Sequence, residues 1–170
     1  MTKIILLVIC VININPMFAQ ENNTLINFEL KDQFDVEHKH SDYFGKVVIL
    51  VGSDRGGSQY NHNWILPLID SLKSHGVYDS TAFIGVADLR AVPFFLRFMV
   101  YGFMKEHNPE DPVLMDWDGD FAERYNFVKD HCNVVVFDKA NKKVIQEAVK
   151  ELDTTVFNNL LDSTIVHTRN

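Results

Sequence analysis

Cysteine is nearly absent from this chain. Its 170 residues contain only Cys10 and Cys132. Cys10 lies in an apolar N-terminal segment that reads as an export signal, so one cysteine is left for the folded protein. A single thiol excludes an intrachain disulfide and a dithiol redox pair. Basic residues are also in the minority, 16 against 23 acidic, for a formal net charge of −7. That balance disfavours nucleic acid and anionic membrane surfaces as partners. No repeat, low-complexity tract or linker interrupts the chain. Gly56-Gly57-Ser58 is followed by no Walker lysine, which leaves it as ordinary loop chemistry rather than a nucleotide cradle.

The leader has a positive Lys3, an apolar stretch over residues 4–12, and Met17-Phe18-Ala19-Gln20 as a cleavage region. A bilayer crossing needs roughly 20 apolar residues, and this stretch is shorter. Leu7-Val8-Ile9 are too large to precede a lipidated cysteine at Cys10. The expectation is a signal peptide at residues 1–20 and one domain at residues 21–170. The domain is then periplasmic or secreted, with no membrane attachment after cleavage. Loss of Lys3 moves the net charge to −8.

Hydrophobic periodicity orders the rest. Residues 25–30 alternate weakly and suggest a first strand. Lys46-Val47-Val48-Ile49-Leu50-Val51 is a continuous apolar run, the pattern of a strand buried on both faces. Residues 54–58 supply a loop, with Ser58 as a candidate N-cap. Trp64, Leu68 and Leu72 then recur every four residues in a helix over 59–74, closed by Gly76. A second strand is expected at 81–87, an apolar helix at 92–104, a short strand at 112–116 and a short helix at 119–126. The chain closes on a strand at 133–137, a turn with Asn141 at positive φ, an edge strand at 144–149 and a helix capped by Asp153. This alternation predicts an α/β fold with a central mixed sheet covered on both faces.

The order of these elements resembles the thioredoxin-like fold. Gly45-Lys46-Val47-Val48-Ile49-Leu50-Val51, the loop after it and the helix carrying Pro67 are similar to the redox-site segment of thioredoxins. Asp116-Trp117-Asp118-Gly119-Asp120-Phe121-Ala122-Glu123-Arg124-Tyr125 resembles the Asp-x-x-Gly-x-x-Ala-x-x-Tyr stretch of redoxins and peroxiredoxins. Asn133-Val134-Val135-Val136-Phe137-Asp138-Lys139 resembles their Thr-Thr-Phe-Leu-Ile-Asp strand. Among redoxins the pattern is most similar to the cysteine-poor periplasmic branch called YtfJ-like. The resemblance implies a three-layer sandwich and, in most of the family, thiol–disulfide chemistry.

This chain departs from the family at the chemistry. Counting from Pro67, the Cys-x-x-Cys positions hold Gln59, Tyr60, Asn61 and His62. Counting from the strand, they begin at Gly57 and end at Tyr60. Neither register supplies sulfur. Cys132, after His131, takes the place of the family's cis-proline, and a cis bond before a non-proline residue costs about 2.5–4 kcal/mol, so a trans bond is expected.

Each remaining candidate has an ordinary alternative. Cys132 invites a lone-thiol redoxin or peroxidase, yet cysteine is also a common buried small residue. His62 at a helix start is a candidate base, against a solvated replacement for a lost cysteine. His38 and His40 share a face in a strand, but no third ligand is apparent. Asp116, Asp118 and Asp120 resemble a calcium loop, but the glycine is misplaced and Phe127 stands where the closing glutamate belongs. No metal or cofactor is therefore expected. The helix at 92–104 is apolar nearly all round, with Arg97 its single charge. The first expectation is burial on several sides. The second is a protein partner or a homodimer through Phe94, Phe95, Phe98, Met99 and Phe103. The function expected is a non-catalytic binding protein on a redoxin scaffold, with the Cys132 oxidoreductase as the alternative.

Overall fold

The computed structural model describes residues 23–170, so the leader expected at residues 1–20 lies outside the described residues. Its sheet is built around β3 (Val47–Ser53), in which all seven residues are buried. Val, Ile and Leu on both faces leave this strand only one stable place, the middle of a covered sheet. β4 (Thr81–Asp88) pairs with it in parallel and β6 (Cys132–Phe137) antiparallel. β5 (Val113–Asp116) and β7 (Lys143–Val149) are the edges, giving the order β5-β4-β3-β6-β7. A short hairpin, β1 (Glu29–Lys31) with β2 (Glu37–Lys39), stands apart and touches β5 through an Asp32–Leu114 bridge.

Two cores flank the sheet. On one face Val47, Ile49, Val51, Cys132, Val134 and Val136 meet α1 (Asn61–Ser74) and α4 (Thr154–Arg169). On the other, Val48, Leu50, Val135 and Phe137 meet Leu25, Phe28 and α3 (Asp120–Arg124). This is the three-layer α/β sandwich expected from the sequence. Trp64, Leu68 and Leu72 are the buried residues of α1, and Asn141 and Gly76 both take positive φ. The Asp153 carboxylate accepts the Val156 N–H at 2.9 Å and so caps α4.

Three expectations change. Residues 25–28 are not strand, because Tyr125 holds them as irregular chain. Its hydroxyl accepts the Ile26 N–H and donates to the Thr24 carbonyl, each at 2.8 Å. Ser58 does not cap α1. One 3-10 turn over Ser58–Tyr60 precedes the helix, and the Ser58 hydroxyl turns back to the Arg55 carbonyl. The apolar helix is a 3-10 turn, Phe94–Leu96, followed by α2 (Arg97–His107), and none of its residues is buried. Its inner face rests on Trp117 through Arg97 and Tyr101. Phe94, Phe95, Phe98, Met99 and Phe103 point outward at 57–82% exposure. The expectation of burial on several sides fails because nothing packs over the outer face.

Gln33 anchors the segment that returns from α2. Its side chain is fully buried. It donates to the Asn108 and Asp111 carbonyls and accepts the Val113 N–H, each at 2.8 Å. Removing it strands three backbone groups. Gln33→Ala should therefore destabilise the fold by about 2–4 kcal/mol. Exposed Gln59→Ala should change stability by less than about 0.5 kcal/mol. Urea unfolding of the two variants checks the contrast.

Candidate functional site

The C-terminal ends of β3 and β4 and the N-terminal end of β6 meet at one end of the sheet, where Gly52 pairs with Asn133. This is where the resemblance places a redox pair. A loop over residues 54–57 follows β3 there. The Asp54 carboxylate accepts the Gly57 N–H at 2.8 Å and the Asp130 N–H at 3.2 Å, tying that loop to the segment before β6. Asn133 is buried and fixes the same segment. Its carbonyl accepts the Val128 N–H at 2.8 Å, and its amide donates to the Val128 and His131 carbonyls at 3.1 Å.

The two segments press together through glycine. A β-carbon at Gly57 would collide with the His131 carbonyl oxygen, and one at Gly56 with the Asp130 carboxylate. Gly52 likewise leaves room for the Phe127 ring. Beside Gly57 the space a side chain would take is filled by the His131 backbone.

Gln59 and His62 are both exposed. Gln59 donates its amide to the Gly56 carbonyl at 2.8 Å, and His62 is the second residue of α1. In the other register Gly57 is buried and Tyr60 is half-buried against the α1–α4 core. Asn61 donates its amide to the Ser53 hydroxyl at 2.9 Å.

Cys132 is fully buried within the α1–α4 core. Burial pushes its thiol up to about 12, because an apolar surrounding penalises the thiolate. The His131 ring donates from Nδ1 to the Lys129 carbonyl at 2.7 Å. No peptide bond among the described residues is cis, so the chain enters β6 in the trans form expected.

On the other face of the sheet from Cys132 is a cleft of about 200 Å³. Asp54, Asp88, Arg90, Phe127, Lys129 and Asn133 are among its lining residues. Arg90 is paired with Asp88 at 3.0 Å and lies 3.9 Å from Glu123. No thiol, hydroxyl or imidazole is among these residues; the cleft presents carboxylates, a guanidinium, an amine and an amide. Sequence reasoning missed it, because the four chain segments that line it come together only through the sheet.

The histidines and aspartates do other work. His38 Nε2 donates to the Asp32 carboxylate at 2.9 Å. Burial alone would raise Asp32, but the His38 bond and the Val36 and Phe34 amides outweigh it and hold the carboxyl below its usual range. His40 lies against the Phe28 and Phe44 rings, and burial lowers its pKa. Asp116 accepts the N–H groups of Gly119, Asp120 and Phe121 and so caps α3. Burial raises its pKa, and those three bonds offset only part of the rise. Among the described residues, no three His, Cys, Asp or Glu side chains converge on a metal-sized site.

No protein-family model matches the chain, and no curated protein matches it in sequence. Solved structures do match in shape. A Chlorobium tepidum protein assigned as thiol:disulfide interchange protein DsbE superposes with a TM-score of 0.62 at 17% identity, covering 86% of this chain and 96% of its own. The exposed lipoprotein thioredoxin Etrx1 of Streptococcus pneumoniae gives 0.59 at 22% identity, covering 81% and 98%. BsSco, of the Sco family of cytochrome c oxidase assembly proteins, gives 0.60 at 9% identity, covering 87% and 95%. At these identities the likeness is one of fold, and the fold of this chain is thioredoxin-like.

Proposed function

We propose that the chain is an exported thioredoxin-fold protein that works by binding and not by thiol–disulfide exchange. The observation that carries this reading is the closure of the redox end. Neither register supplies a thiol there: Gly57 packs against the His131 backbone, Gln59 and His62 are exposed and carry no sulfur, and the one sulfur nearby is fully buried. Thiol exchange needs an accessible thiolate, and neither access nor ionisation is provided. Export is supported by the Lys3-led apolar leader and by a neighbour described as an exposed lipoprotein. Within the redoxins, the Gly-Lys-Val strand and the Val-Val-Phe-Asp-Lys ending favour the YtfJ-like branch.

A second reading is a redoxin-type oxidoreductase or peroxidase using Cys132. Its support is the thiol–disulfide company among the structural neighbours. The chemistry weighs against it. A thiol at about 12 instead of 9.0 holds about a thousandfold less thiolate at neutral pH.

Thiol titration separates the two readings. The folded protein should release no detectable thionitrobenzoate from Ellman's reagent, then a full equivalent from Cys132 once unfolded in guanidinium. Insulin reduction and peroxide consumption should run at buffer rates. Rapid titration of the native protein, or turnover abolished by Cys132→Ala, would establish the oxidoreductase instead.

The scaffold itself is tested by restoring sulfur. In a Cys132→Ala background, Gln59→Cys with His62→Cys puts two exposed thiols three residues apart at the start of α1. They should close to a disulfide under mild oxidant, seen as loss of free thiol at constant mass. A pair that stays reduced shows that Pro67 does not set the family register.

A further inference from the structure

The outer face of the 3-10 turn and α2 gathers five exposed apolar side chains. Phe94, Phe95, Phe98, Met99 and Phe103 are 82%, 71%, 74%, 57% and 57% exposed. At 150–250 Å² for a large side chain, they present roughly 500–850 Å² of apolar surface. A typical monomer's largest patch is roughly 300–600 Å² and is often functional.

The sequence has also cleared this face of charge. Arg97, the one charged residue between 92 and 104, is turned inward. Its guanidinium lies 4.7 Å from the Trp117 ring centre and 5.5 Å from that of Phe94. The first charges on the far side are Lys105 and Glu106, one of each sign. Gly102 lies one turn beyond Phe98 and has open space where a side chain would be. The face is therefore a row of rings around a notch.

We propose that this face is the interface for a second copy of the chain, with two α2 helices crossing near Gly102; this rests on the binding reading above. Two such faces bury roughly 1,000–1,700 Å², overlapping the range of roughly 1,200–2,000 Å² for specific complexes. A two-fold contact uses the same patch on both subunits and needs it to be self-complementary. A stripe with no charge meets that condition. It also lets two chains of net charge −7 meet without setting like charges face to face. The notch at Gly102 on each copy gives the opposing rings a place to enter and brings the helix axes together.

Sedimentation velocity tests this on the chain exported and purified with its natural leader processed by the host. The parent should run as a dimer at protein concentrations on the order of tens of micromolar. Phe95→Glu with Phe98→Glu should weaken self-association by at least about a hundredfold, with far-UV circular dichroism and melting unchanged. If that variant fails to fold, Gly102→Cys decides. Near a two-fold axis it should oxidise to a covalent dimer, while Ser74→Cys at the far end of α1 stays monomeric. A monomeric parent overturns the assignment, including one that instead binds phosphatidylcholine vesicles. So does a dimer untouched by the double variant, or equal cross-linking at positions 102 and 74. These results leave the non-redox reading standing, whereas thiol turnover would sink that reading at any mass.

Discussion

Gly57 has no room for a side chain. Its α-carbon lies so close to the His131 carbonyl that a β-carbon would overlap it. This approach joins the end of β3 to the start of β6, and Asp54 and Asn133 hold it from either side with hydrogen bonds to backbone. The consequences spread from there. The loop after β3 is drawn in, α1 begins only after an extra 3-10 turn, and Cys132 enters the core at the first residue of its strand.

A thioredoxin-like sheet without its thiols still has to act somewhere. At the closed end lies a small cleft that holds the Arg90–Asp88 pair. The uncommitted apolar surface lies on α2, which is held at its base by Trp117 while Gln33 anchors the chain that leaves it. The inner face of α2 is fixed and its outer face is free.

Much of the fold was legible in the sequence, for a clear physical reason. Strands buried on both faces must be apolar nearly throughout, and 47–51 and 134–137 are. Helices packed on one side must repeat every three or four residues, as Trp64, Leu68 and Leu72 do. Positive φ favours glycine and asparagine, and Gly76 and Asn141 are at those places. The missing redox pair was legible too, since absent sulfur requires no geometry to notice. Other features depend on distant partners. Nothing around Gln33 signals that it will bond to three backbone groups some 75–80 residues away. The turn over Ser58–Tyr60 follows from how the loop meets Asp130 and His131, so Ser58 looked like a cap when read locally. The α2 residues read as core because composition shows how apolar a helix is and not whether anything covers it.

The closing contact has a sign test. Gly57 has φ −78° and ψ −26°, a conformation open to any residue. Where only backbone conformation matters, Gly→Ala at such a position stabilises by about 0.4–1 kcal/mol. Here the added methyl meets the His131 carbonyl, so Gly57→Ala should instead lose about 1–3 kcal/mol. The measurement is the urea midpoint of that one variant against the parent. Destabilisation is the result predicted by closure of the redox end. A variant as stable as the parent, or more stable, would contradict it.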